Sequence, residues 1–279
     1  MNDSVTVRVP ATSANLGPGF DALGVALACR ARLRLARGAA ENPAPMAADA
    51  AALFFARSQT APFGFRWEIS DDIPRSRGLG SSVAVRLGIL HGLNVLAGRP
   101  LDAEKIYRLC AELEGHPDNA APAAFGGFVA ARPDGVYFRC EIDPRVRFVL
   151  LVPGQSIETD ASRAQLPAQV SLHDAARNVA HASLITAAFA SRNYDLLRGS
   201  LVDCLHEPSR AAVNPHLRPA VEAGVAAGAL GGYLSGSGSA VACITLENPE
   251  RVAAAMQEVM ASAHTMILPA DNTGTIIEG

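Results

Sequence analysis

Residues 4–9, SVTVRV, alternate apolar and polar side chains with the period of a half-buried strand. Pro10 is predicted to end that strand, because proline gives a sheet no donor. A loop, TSANLGPGFD, comes next, and residues 22–36, ALGVALACRARLRLA, predict extended structure. Ala47–Arg57 predicts a helix, and FGFRWEIS predicts an alternating strand that stops at DDIPRSRG. Val85, Ile89 and Leu93 lie at helical spacing within Ser82–Leu96, and Leu101–Leu113 predicts a further helix. In AAFGGFVAARPDGVYFRCEI, two strands are predicted around Pro-Asp-Gly, a turn sequence.

The pattern restarts at about Val146. RFVLLVPG predicts a short apolar strand, SLHDAARNVAHASLITAAFAS, NYDLLRGSL and LRPAVEAGVAAG predict helices, and GGYLSG and SAVACITL predict two strands around a glycine-serine turn. The last predicted helix is NPERVAAAMQEVMASA. This series is an α+β plan with helices on one side of an antiparallel sheet. It suggests two domains, residues 1–150 and 151–279.

Composition narrows the function. With 24 Lys+Arg against 27 Asp+Glu, a net charge of −3, and no basic run, the chain offers nothing to track a nucleic acid or an anionic membrane. Apolar stretches are broken by Gly, Pro, Arg or Asp before the ~18 residues a spanning helix needs. Cys29, Cys110, Cys140, Cys204 and Cys243 are odd in number and scattered, which predicts reduced thiols. The N-terminus lacks the basic region and apolar run of a secretory signal, so a cytoplasmic location is expected.

Three stretches carry candidate chemistry. In PRSRGLGSSVAV, Gly78 and Gly80 let the backbone approach an anion, and Ser81 and Ser82 stand at the head of an apolar helix whose first N–H groups lack partners. The lysine of a P-loop is absent. In EGHPDNAAPAAFGG and the residues before it, Glu112, Glu114, His116, Asp118 and Asn119 fall within eight positions. Acids so placed suit Mg²⁺ beside a nucleotide, and Asp118 with Asn119 suits a hydroxyl. A third stretch, YLSGSGSAV, is a turn able to close over phosphates.

Together with PATSANLGPGFDALGVAL, these motifs resemble in order and spacing those of the GHMP kinases, and SANLGPGFD, EGHPDNAAPA, TDASR and DCLHEPSR are similar to the homoserine kinase family. The resemblance covers essentially the whole chain. It implies an N-terminal domain like ribosomal protein S5 and a ferredoxin-like C-terminal domain, ATP as co-substrate, Mg²⁺, L-homoserine as acceptor, and allows a homodimer. Pro74, Arg75, Ser76, Arg77, Gly78, Leu79, Gly80, Ser81 and Ser82 would wrap the ATP phosphates, with Ser82 and Glu114, or in a second register Glu112, on the metal. Asn15, Asp21, His116, Asp118, Asn119 and Thr159 would surround the amino acid, and Arg163 and Arg210 would clamp its carboxylate. Asn15 and Asn119 would orient the attacking hydroxyl, with Asp118 as a general base the alternative. Ser239 and His181 replace a proline and an arginine usual in the family, and the stretch between Arg37 and Phe63, near which adenine contacts are expected, is short. A GHMP kinase for another small alcohol, or a silent nucleotide-binding sensor on this fold, are the competing readings.

Overall fold

The computed structural model describes residues 3–39, 44–157 and 162–278. Strands β1 (Ser4–Ala14) and β2 (Leu23–Arg37) form a long antiparallel pair. Val5, Val7 and Val9 point inward by simple alternation. β1 does not end at Pro10 as predicted: the register shifts between Pro10 and Ala11, and the strand continues past this irregularity, where a residue without a donor is tolerated.

Helix α1 (Pro45–Ser58) and β3 (Phe65–Asp71) follow, β3 pairing with β2. Helix α2 (Ser81–Leu96) is apolar nearly all round and is buried along most of its length, as expected for a helix enclosed by its neighbours. Helix α3 (Ala103–Glu114) starts at Asp102, whose carboxylate accepts the Lys105 amide at 2.8 Å, and ends at left-handed Gly115. A short helix α4 (Ala120–Phe125) occupies part of a stretch predicted as strand, because Pro122 is tolerated in a first turn. The hairpin around Pro-Asp-Gly therefore shortens to β4 (Phe128–Ala131) and β5 (Tyr137–Cys140).

Strand β6 (Arg147–Val152) opens the second sheet, so the division expected at residue 150 falls inside a strand. Then come α5 (Leu172–Ser191), a 3-10 turn (Tyr194–Leu197), α6 (Glu207–Arg210), α7 (Leu217–Ala226), β7 (Gly231–Leu234), β8 (Val241–Thr245), α8 (Pro249–Val259) and β9 (His264–Pro269). The sheet order β7-β8-β6-β9, all antiparallel, is the ferredoxin-like arrangement. The last strand, β10 (Ile276–Glu278), returns to pair with β1, giving the first sheet the order β10-β1-β2-β4-β5 with β3 on β2.

Alternation along β6 ties the domains together. Phe148, Leu150 and Val152 join a core continuous with that of the first sheet, while Val149 and Leu151 pack with Leu217, Ala220, Val252 and Met256 of α7 and α8. β6 is thus buried on both faces, and one apolar core runs from the first sheet onto the second.

Candidate active site

The cleft has a volume of about 660 Å³ and is lined by residues of both domains. At its centre is the turn into α2. Gly78 and Gly80 have φ of +73° and +71°, and a Cβ there would lie 1.9 Å from the Ser235 carbonyl oxygen and 2.0 Å from Thr12 Oγ1. Only glycine fits either requirement. The other two motifs grip this turn: Ser235 Oγ donates to the Gly78 carbonyl at 2.7 Å, and the Thr12 amide donates to the Leu79 carbonyl at 3.2 Å. Gly80 caps α2 without any side-chain cap, so the first amides of that helix remain available to an anion, helped by the helix dipole.

Arg75, Ser76, Gly78, Leu79, Gly80, Ser81 and Ser82 all line the cleft, Pro74 stands half-buried behind them, and Arg77 does something else. Its Nε donates to the Pro153 carbonyl at 2.8 Å and its Nη2 to that of Gly154, so the guanidinium braces the phosphate turn against the segment after β6. Beyond the turn, Met46, Trp67, Ile69, Ile73, Val85 and Leu113 make an apolar wall suited to a nucleobase. Met46 lies in the stretch between Arg37 and Phe63, near which adenine contacts are expected.

Ser82 Oγ donates to Glu114 Oε2 at 3.0 Å, while Arg86 Nη1 holds Glu114 Oε1 at 2.6 Å. Glu112 faces away and pairs with Arg57 on the surface. Two neighbouring ligands of an octahedral Mg²⁺ stand about 3.0 Å apart, given metal-oxygen distances of about 2.1 Å. The Ser82 and Glu114 oxygens therefore fit this cation, and Glu112 does not share their corner.

The opposite end of the cleft concentrates charge. Asp21, His116 and Asp118 place donor atoms within 4.8 Å of one another, and His116 Nδ1 lies 2.5 Å from Asp118 Oδ1. Burial opposes a charged His116, but the hydrogen bond and charge of Asp118, with Asp21 and Glu114 adding to it, raise its pKa above the ordinary value. Asn119 accepts from Thr12 Oγ1 at 2.7 Å and has Asp118 beside it. Asn15, at φ +70°, spends its amide on the frame: Nδ2 donates to the Gly236 carbonyl and Oδ1 accepts from the Asp21 amide, both at 3.0 Å.

Arg163 grips Asp21 with both Nη atoms, at 3.0 and 2.8 Å. Arg210 is 2 % exposed and lines the cleft; its Nε is buried without a hydrogen-bond partner, and among the described residues it forms no ion pair. Burial, followed by the charge of Arg163, lowers its pKa. Both guanidiniums approach the ring of Phe20, at 5.4 and 5.5 Å from its centroid. Thr159 lies outside the described residues. Thr12 and Phe20 also belong to the site and lie in the N-terminal motif, but nothing about a threonine or phenylalanine in isolation marks it as part of a site.

All five cysteines are free, with Cys29, Cys110 and Cys243 buried, and burial pushes the Cys243 thiol up to about 12. Among the described residues no helix is long and apolar enough to cross a membrane.

A cleft between an N-terminal α+β domain and a ferredoxin-like domain, with a lysine-free glycine-serine turn at a helix N-terminus, defines a small-molecule kinase of the GHMP class. The models for the GHMP kinase N-terminal and C-terminal domains match residues 46–127 and 185–262. The homoserine kinase of Moorella thermoacetica is 38% identical, with 91% of this chain and 92% of that one covered, and that of Deinococcus radiodurans is 37% identical, with 98% and 96% covered. The crystal structure of homoserine kinase from Cytophaga hutchinsonii shares the fold, with a TM-score of 0.89 at 24% identity, covering 100% of this chain and 98% of that one. The chain belongs to the homoserine kinase family of the GHMP kinases.

Proposed function

We propose that this protein transfers the γ-phosphoryl group of ATP to the hydroxyl of L-homoserine, giving O-phospho-L-homoserine and ADP, in the branch of metabolism that leads to threonine. One observation carries the reading: the acceptor end of the cleft sets Asp21 and Asp118 beside Arg163 and Arg210. Carboxylates and guanidiniums side by side suit a zwitterion, the carboxylates taking its ammonium and the arginine forks its carboxylate. An uncharged or purely anionic alcohol has no ammonium for these carboxylates to take.

The uncapped amides of α2 would receive the phosphates, and the apolar wall around Trp67 the base. Ser82 and Glu114 would hold Mg²⁺, which when bound neutralises charge on the transferring phosphates. Asn119, fixed by Thr12, is placed to orient the acceptor hydroxyl. Phosphoryl transfer asks chiefly for alignment and charge neutralisation, so in-line attack needs no strong base. Asp118, next to Asn119, is the group that would take the proton if one is needed.

The test is product identification. Incubation with ATP, Mg²⁺ and L-homoserine should give a phosphate monoester on the side-chain hydroxyl by ³¹P NMR. ATP consumption that yields only ADP and inorganic phosphate would defeat the reading.

A further inference from the structure

Arg210 poses a physical problem that the reaction alone does not solve. It is a long, buried cation without an ion-pair partner among the described residues, and a flexible side chain must be held if it is to meet a ligand in one geometry. A carboxylate could hold it, but would also neutralise it and compete with the substrate's own carboxylate. The structure uses a neutral acceptor instead. His206 Nδ1 lies 3.0 Å from Arg210 Nη1, and an arginine can only donate, so Nδ1 accepts. The other ring nitrogen, Nε2, is 2.9 Å from the Gly17 carbonyl and donates to it. Both contacts fix the same tautomer, an uncharged imidazole with its proton on Nε2.

The ring and its backbone are held in turn. His206 is 0 % exposed, its ring centroid is 5.1 Å from that of Phe20, and its backbone amide is one of three, with those of Leu205 and Glu207, that donate to Asp203 Oδ2. Gly17 belongs to the N-terminal motif that also carries Asn15, Phe20 and Asp21, so His206 ties that loop to Arg210. Burial, with the Arg210 charge adding to it against Asp203 and Asp21, lowers the His206 pKa and keeps the ring neutral. Arg210 Nη1 also donates to the Gly236 carbonyl at 3.1 Å, while Nε is left without a partner.

We infer that His206 is a positioning residue for substrate recognition: it holds the Arg210 guanidinium toward the acceptor's carboxylate through a neutral acceptor, with no carboxylate bonded to the guanidinium in the substrate's place. The inference rests on the reading of Arg210 as a carboxylate ligand.

The experiment is a kinetic cycle on the full chain with His206→Leu, Arg210→Met and the double variant, with His206→Asn and His206→Asp alongside. Losing one hydrogen bond to a charged group predicts that His206→Leu raises the KM for L-homoserine about tenfold, with kcat changed about threefold or less and the KM for ATP about twofold or less. In the Arg210→Met background the same substitution should add nothing. His206→Asn, a neutral acceptor, should restore most of the homoserine KM, and His206→Asp should not. An unchanged KM in His206→Leu, or the same fold-effect with and without Arg210, would overturn the inference. Should the leucine variant fail to fold, the asparagine and aspartate variants decide, equal homoserine KM values counting against it. If Arg210→Met alone leaves the homoserine KM unchanged, the reading of Arg210 itself fails, whatever His206 does.

Discussion

Arg163 and Asp21, from different domains, face each other as a two-pronged ion pair with nitrogen-oxygen distances of 2.8 and 3.0 Å. In the proposed complex these groups take opposite ends of one amino acid, so binding would exchange a pair within the protein for two pairs to a zwitterion. The side chains are 41% and 32% exposed, which weakens the internal pair and makes the exchange inexpensive. Arg163→Gln should raise the homoserine KM by roughly tenfold, at the low end for a charged hydrogen bond, and leave the KM for ATP unchanged. A change confined to the KM for ATP would place Arg163 with the nucleotide instead.

Glu114 and Glu112 separate cleanly. Glu114→Gln should raise the Mg²⁺ concentration needed for half-maximal rate by about tenfold or more. Glu112→Gln breaks only an exposed pair with Arg57 and should change stability by less than about 1 kcal/mol and turnover not at all. A magnesium titration of both variants checks the assignment, and equal Mg²⁺ dependence would contradict it.

The phosphate turn predicts a contrast among glycines. Gly80→Ala would drive a Cβ to 2.0 Å from Thr12 Oγ1 at a positive φ, whereas Gly98, also at positive φ, has nothing within 4 Å of its added Cβ. Gly98→Ala should cost about 1–2 kcal/mol, the backbone strain alone, and spare the KM for ATP. Gly80→Ala should cost more in thermal stability and raise the KM for ATP at least severalfold.

Glu207 gives the stability of the protein a pH dependence. Burial, with the Asp203 charge adding to it against the Leu234 amide and Arg210, raises its carboxyl to about 8. A raised folded pKa means that the contribution is fully present below the ordinary carboxyl range and is lost as pH rises toward 8. Glu207→Gln should therefore gain in Tm over the native protein progressively between pH 5 and pH 8. A gap that stays constant across that range would show that Glu207 ionises normally.

Trp67 is the single tryptophan of the chain and lines the apolar end of the cleft. ADP should change its fluorescence, and L-homoserine alone should not. A response to homoserine without nucleotide would exchange the two ends of the site.

Much of this architecture was legible because its signals are local. The glycine-serine turn, the helix behind it and the charged stretch around His116 announce themselves within a few residues. β9 and β10 do not, since His264–Pro269 and Ile276–Glu278 become strands by pairing with β6 and β1, far away in sequence. The side-chain contacts of Arg77 were hidden for a related reason: its neighbours in sequence belong to the phosphate turn, but its long side chain ends on carbonyls of Pro153 and Gly154. Likewise the stretch DCLHEPSR pointed to Arg210, whereas the work of His206 became visible only once Gly17 stood beside it.

The most direct test of the account is ADP release at saturating ATP and Mg²⁺ with L-homoserine, L-threonine, L-serine, shikimate and mevalonate offered separately. Turnover with L-homoserine should be far above that with the other four. Efficient phosphorylation of mevalonate or shikimate, or nucleotide binding with no acceptor phosphorylated, would contradict it.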